Sequence, residues 1–261
     1  MRYSAILVNF VIAMSYNLVI DQGNSTAKIA VFEGDSLVEQ WRCEDLLPEV
    51  LRRVAVSAPI EAAIYCSVTH HSENIIVTLQ EIAGKVYELT SLLPLPITIG
   101  YATPSSLGRD RIAAVAGARA MLPGRTVLVV DAGTAITYDV LQPDGNFLGG
   151  NIAPGLWLRA EALNRHTERL PLVNVETPGD VALWGTDTPR AITAGIVRGV
   201  AGEIDYYRRM LPDDAAVILT GGDAVRLAPF VPQHHAAEVI VEPALVVRGL
   251  NCILQYNQAL Q

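Results

Sequence analysis

The sequence predicts an α/β protein built from two similar domains, and three observations carry that prediction. The first is a pattern that occurs twice: Leu18-Val-Ile-Asp21-Gln-Gly-Asn-Ser-Thr-Ala-Lys28 and Leu128-Val-Val-Asp131-Ala-Gly-Thr-Ala-Ile-Thr137. Each copy is an apolar strand ending in Asp-x-Gly, then hydroxyl or amide residues, then a second β-prone run. The second observation is that strand–turn–strand is followed in both halves by alternating helical and strand periodicities. The third is length, since 261 residues leave room for about two domains. The boundary is expected near residue 124, giving domains 16–124 and 125–261 behind an N-terminal extension at 1–15.

Taken in order, a strand from 16 to 20 leads to Asp21, a second covers 27–32, and a turn at Glu33-Gly34-Asp35 leads to a third over 37–41. Apolar spacing predicts a helix over 46–56, a buried strand over 62–68 and an amphipathic helix over 72–83. Pro94, Pro96 and Pro104 mark 93–108 as a loop, and an alanine-rich helix follows over 110–121. The second half restarts at Thr126 with its own strand, Asp-x-Gly turn and strand. A hairpin turn at Pro143-Asp144-Gly145 then leads to a Gly-rich segment, 149–155. A long helix is predicted over 188–210, with Thr188 as N-cap and Pro189 at N1. A strand over 216–219 meets Gly221-Gly222, and a last helix covers 245–254. Small residues on the long helix, Ala191, Ala194, Gly195, Gly199, Ala201 and Gly202, would allow close packing against a second copy or within the monomer.

Composition narrows the function classes. A net charge of −8 argues against broad binding to nucleic acid or to an anionic membrane, both of which need basic patches. The three cysteines, Cys43, Cys66 and Cys252, lack CxxC spacing and fit a reducing compartment better than a disulfide framework or zinc site. The adjacent pairs His70–His71 and His234–His235 lack metal-ligand spacing. Arg2 and the apolar run 5–14 faintly resemble a signal peptide but are too short to span a bilayer. Residues 1–13 are therefore expected to be an upstream extension ahead of Met14, from a misassigned start codon.

The duplicated pattern suits an anionic ligand. Its glycine permits a tight turn and close approach of backbone to ligand, and successive N–H groups in such a turn form an anion-binding concavity. Asn24, Ser25 and Thr26 add side-chain donors and Lys28 a positive charge, while Asp21 can hold Mg²⁺ through water. A plain hairpin with Asp and Gly as turn formers explains one copy. It gives no reason for two in matching contexts. Two half-sites on two domains suggest a cleft holding a polyphosphate nucleotide, gripped by hairpins, since the chain has neither a Walker A sequence nor GxGxxG.

The run Tyr101-Ala-Thr-Pro104-Ser-Ser-Leu107-Gly108-Arg109-Asp110-Arg111 resembles the Tyr-x-x-Pro-x-x-x-Gly-x-Asp-Arg element of type III pantothenate kinases. Both hairpin segments, Gly149-Gly-Asn-Ile-Ala-Pro-Gly155 and Gly185-Thr-Asp-Thr188 resemble the same family in order and spacing, over about residues 16–254. The resemblance implies two actin-like (ribonuclease H-like) domains with a nucleotide cleft between them. It also implies ATP-dependent phosphorylation of pantothenate to 4'-phosphopantothenate, the first step of coenzyme A biosynthesis, in a cytoplasmic homodimer.

Carried over by position, Asp21, Gln22, Gly23, Asn24, Ser25, Thr26, Ala27 and Lys28 would bind ATP phosphates, with Thr134 contacting the nucleotide from the other domain. Asp131 would coordinate a monovalent cation, K⁺ or NH₄⁺, in addition to the Mg²⁺ that accompanies ATP. Tyr101, Gly108, Arg109, Asp110, Arg111 and Thr188 would surround pantothenate. Asp110 would be the base acting on its primary hydroxyl, at a helix start where negative charge is favoured by about 0.3–1 kcal/mol. Gln22 stands where many relatives have an aliphatic residue. The alternatives are another small-molecule (sugar-type) kinase of the superfamily and a catalytically idle regulatory homologue acting as a transcription accessory factor.

Overall fold

Two mixed sheets with the same internal order make up the framework of the computed structural model, which describes residues 15–23, 26–57, 59–67, 72–175, 181–232 and 238–261. Asn24, Ser25, both histidine pairs and residues 1–14 of the expected extension lie outside the described residues.

In chain order the first half contains β1 (Tyr16–Gln22), β2 (Ala27–Glu33), β3 (Ser36–Cys43), α1 (Pro48–Ser57), β4 (Ile60–Ser67), α2 (Glu73–Ile82), β5 (Ala83–Glu88), β6 (Thr98–Ile99) and α3 (Arg109–Met121). The second contains β7 (Val127–Ala132), β8 (Ala135–Leu141), β9 (Asn146–Pro154), α4 (Leu156–Arg165), α5 (Thr188–Arg209), β10 (Ala216–Thr220), α6 (Ala224–Leu227), β11 (Val239–Val241) and α7 (Leu245–Ala259).

The first sheet runs β3-β2-β1-β4-β5 and the second β11-β10-β7-β8-β9-β6. In each, the strand carrying the Asp-x-Gly aspartate is central. It pairs antiparallel with the strand after the turn and parallel with a later strand. Strands flanked on both sides read as continuous apolar runs, and Leu18, Val19 and Ile20 are fully buried, as are Val129 and Val130.

The layers follow from which face each residue supplies. One face of the first sheet packs on α1 and α2 through Leu18, Ile20, Leu51 and Leu79. Its other face, with Val19, Phe32 and Ile64, shares a core with α3, α7 and the second sheet's Val129 and Phe147. The far face of the second sheet, with Leu128, Val130 and Tyr138, packs on α4 and α5. Helices α3 and α7 thus lie between the sheets. Their backbones approach where Gly117 meets Gly249: a Cβ on Gly117 would stand 2.5 Å from the Leu245 carbonyl oxygen. Helix α7 also reaches the first sheet, where Asn251 Nδ2 donates to the Gly34 carbonyl at 2.9 Å.

Several elements differ from expectation. The Gly-rich segment is the strand β9, held by pairing with β8 despite its glycines. The loop expected over 93–108 contributes β6, which joins the second sheet beside β9. Helix α4 and strand β5 carry weak local signals. The α4 N-cap is Gly155 without a side-chain cap, and β5 follows α2 with no intervening turn. The cap of α5 is Asp187, whose side chain accepts from the Arg190 N–H; Thr188 is the first helical residue.

Candidate active site

The two Asp-x-Gly hairpins end on the same side of the molecule as the start of α3, and their carboxylates feel one another. Asp21 closes β1, paired with Lys28 across the hairpin. Asp131 occupies the equivalent place on β7, opposite Thr137. Burial pushes the Asp131 carboxyl up to about 6; Lys28 pulls it down, while Asp110, Asp21 and Asp139 push it further up. Burial likewise raises the Asp21 carboxyl, against Lys28 and with Asp110. One ammonium therefore offsets two aspartates from different sheets, and a third aspartate, from α3, closes the group. Assembling three carboxylates around one lysine costs stability that a bound cation would relieve.

Each hairpin is braced from behind. In the first, Gly23 N–H donates to the Thr26 carbonyl at 3.0 Å, and Arg42 Nε donates to Thr26 Oγ1 at 3.1 Å. Gln22 Oε1 accepts a 2.5 Å bond from the hydroxyl of buried Tyr65, so the unusual Gln22 anchors the turn to β4. In the second, Gly133 N–H donates to Ala135 at 3.0 Å, and Gly155 N–H to Thr134 at 2.9 Å. Thr134 is exposed at the tip.

Helix α3 presents Asp110 in its first turn, with Oδ1 accepting the Arg111 N–H at 2.9 Å. Gly108 is the N-cap, and a Cβ there would stand 2.5 Å from Asp110 Oδ1. Arg109 Nη1 reaches the Ser67 carbonyl at the end of β4, at 3.3 Å. Arg111 is buried, and its Nε and Nη2 donate to Asp139 Oδ1 at 3.0 and 2.5 Å. Those bonds hold the guanidinium charged against the cost of burial, and it lies over Tyr101, 5.6 Å from the ring centroid. Tyr101, Gly108, Arg109, Asp110 and Arg111 therefore form one group with the cleft aspartates.

Thr188 does not join them. It starts α5 on the opposite face of the second sheet. There it lines a cavity of about 1250 Å³ between α4 and α5, with Leu158, Leu163 and Ile192. That cavity contains none of Asp21, Asp110 and Asp131, so the phosphoryl chemistry is assigned to the aspartate group. Sequence reasoning gave no role to Asp139; its signal was a carboxylate inside an otherwise apolar strand. It also missed Thr220, which faces Asp131 in the β10–β7 register. Thr220 Oγ1 is buried without a hydrogen-bond partner among the described residues.

The residues fit the ions a polyphosphate ligand brings. Among the described residues no three His, Cys, Asp or Glu side chains form a ready-made metal cage. That suits Mg²⁺, which keeps several waters and takes one or two carboxylates plus phosphate oxygens. Asp131 beside the unpartnered Thr220 hydroxyl supplies hard oxygen donors for a further cation.

A two-lobed α/β framework with duplicated phosphate hairpins and a carboxylate at a helix start defines a phosphotransferase of the actin-like class. Solved structures share that fold. A Campylobacter jejuni protein assigned to the Baf family of transcriptional activators superposes with a TM-score of 0.61 at 23% identity, covering 93% of this chain and 99% of that one. The ROK hexokinase of Thermus thermophilus gives 0.51 at 14% identity, covering 92% and 99%. The type III pantothenate kinase model matches residues 17–209. Type III pantothenate kinases of Phocaeicola vulgatus and Porphyromonas gingivalis are 39% and 40% identical over 248 residues, 94% of this chain and 100% of each relative. The chain belongs to the type III pantothenate kinase family.

Proposed function

We propose that this protein transfers the γ-phosphoryl group of ATP to the primary alcohol of pantothenate, giving 4'-phosphopantothenate and ADP in the first step of coenzyme A biosynthesis. The observation that carries the reading is the meeting of Asp21, Asp110 and Asp131 around Lys28, in a member of this kinase family. Domains 16–124 and 125–261 each contribute one hairpin. Backbone N–H groups of residues 21–28, with Lys28, bind the phosphates from one side and Thr134 from the other. Asp110 accepts the hydroxyl proton as the alcohol oxygen attacks the γ-phosphorus and ADP leaves, a reaction in which positioning and charge neutralisation do most of the work. Arg109, Arg111, Tyr101 and Gly108 shape the pantothenate site. Mg²⁺ neutralises the phosphates near Asp21, and K⁺ or NH₄⁺ is held at Asp131.

Thr188 lies away from Asp110 within one protomer, and its contact with pantothenate therefore rests on a homodimer. The exposed glycine face of α5 supports one: Cβ atoms on Gly195, Gly199 and Gly202 would meet open space. Among the described residues no helix is long and apolar enough to cross a membrane, and three free cysteines support a cytoplasmic setting. The decisive experiment measures ADP release with ATP, Mg²⁺ and pantothenate, with and without K⁺, beside a panel of sugars. Turnover restricted to pantothenate is expected. Turnover of a sugar alone would favour the sugar-kinase reading, and none at all from folded protein would favour the regulatory one.

A further inference from the structure

Arg159, on α4, is bonded in three directions at a place outside the aspartate group. Its Nη1 and Nη2 donate to Glu203 Oε1 and Oε2 on α5, both at 2.7 Å. Its Nε donates to the Pro154 carbonyl at 2.8 Å. Glu203 Oε2 also accepts from the hydroxyl of Tyr138, a β8 residue only 2% exposed, at 2.7 Å. Four elements, β8, β9, α4 and α5, thus meet at one guanidinium. The arginine and glutamate side chains are 21% and 35% exposed, and a bidentate charge-assisted pair in that setting is stiffer than a loose surface pair.

The bond to Pro154 leads to the second phosphate hairpin. Pro154 ends β9 opposite Ala135, and Gly155 donates its N–H to the Thr134 carbonyl at 2.9 Å. A side chain on Gly155 would collide with the carbonyl oxygens of Gly133 and Thr134. The hairpin tip therefore rests on the Pro154–Gly155 backbone, and that backbone is fixed by Arg159. Without this support the exposed tip keeps only its own Gly133–Ala135 bond.

We propose that Arg159, locked by Glu203 and Tyr138, is a positioning residue that holds the Gly133–Thr134 tip where it receives the nucleotide phosphates. The proposal rests on the kinase reading. Loss of the clamp should weaken nucleotide and spare pantothenate, because the alcohol's ligands Tyr101, Arg109 and Arg111 belong to other elements.

The test uses full-length Arg159→Ala, Arg159→Lys and Tyr138→Phe, with calorimetric titration of ADP–Mg²⁺ and KM for each substrate. Arg159→Ala is expected to raise the ADP Kd and the ATP KM about tenfold, equivalent to about 1.4 kcal/mol, with pantothenate KM within about twofold. Arg159→Lys keeps the charge without the fork and should fall between. Tyr138→Phe should give a smaller shift in the same direction. Unchanged nucleotide affinity in folded arginine variants would overturn the proposal, as would equal rises in both KM values, the mark of general structural damage. Should Arg159→Ala not fold, the lysine and phenylalanine variants decide by the same criteria. A wild-type protein that neither binds ADP–Mg²⁺ nor phosphorylates pantothenate would instead overturn the kinase reading itself.

Discussion

Replacing Asp131 by asparagine should stabilise the folded protein at neutral pH while impairing its activity. The carboxyl of Asp131 sits at about 6 in the fold, against an ordinary 3.8. Between those two values the folded state holds a proton that the unfolded chain has released, so stability falls as pH rises through this window. The full cost is present above about pH 6 and absent below about pH 4. At about 1.4 kcal/mol per tenfold change in proton affinity it amounts to about 3 kcal/mol, already net of Lys28. Asparagine cannot ionise and escapes the cost. For a chain of this length the gain corresponds to roughly 5–10 °C in melting temperature.

The assay is thermal unfolding of both proteins from pH 4 to 8.5 in choline buffers free of potassium. The variant should melt higher at pH 8 and converge with the wild type near pH 4. Added K⁺ should raise the wild-type melting point at pH 8, by linkage to the folded state, and leave the variant unmoved. A variant no more stable than wild type at pH 8, or a difference independent of pH, would refute the electrostatic reasoning. A potassium effect equal in both proteins would refute Asp131 as the cation's ligand.

Three further outcomes follow from the same geometry. Asp110→Asn should lower kcat by ~10²–10⁴ with an unchanged circular dichroism spectrum, checked by steady-state kinetics. Asp139→Asn removes the partner of the buried Arg111 guanidinium and should cost about 3–5 kcal/mol in urea unfolding, with a raised pantothenate KM. Gly221 has φ of +88°, and a Cβ would collide with the Ala132 carbonyl and Asp131 Oδ1; Gly221→Ala should cost about 1–3 kcal/mol, read by the same unfolding curve, and weaken potassium activation.

The elements legible in the chain were those whose signal is local. Strands β1, β2, β7 and β8 declare themselves by apolar runs broken at Asp-x-Gly, and the turns at Gly34 and Gly145 by residues with φ of +55° and +87°. Strand β9 was not legible. Its glycines carry no β preference, and only the ladder with β8 makes it a strand. Helix α4 escaped for want of a capping side chain.

By itself the sequence determined the duplication, the hairpin chemistry and, through 101–111, the family resemblance, because each is written within a dozen neighbouring residues. Only the tertiary structure decided which charges meet. Lys28 serving aspartates of both sheets, Asp139 holding Arg111 and Arg159 reaching Glu203 all join residues far apart in the chain. Thr188 shows the converse, a residue read with the others that the fold carries to the opposite face of the sheet. Electrostatic energy depends on distance in space and on burial, and neither quantity exists until the sheets have packed on α3 and α7.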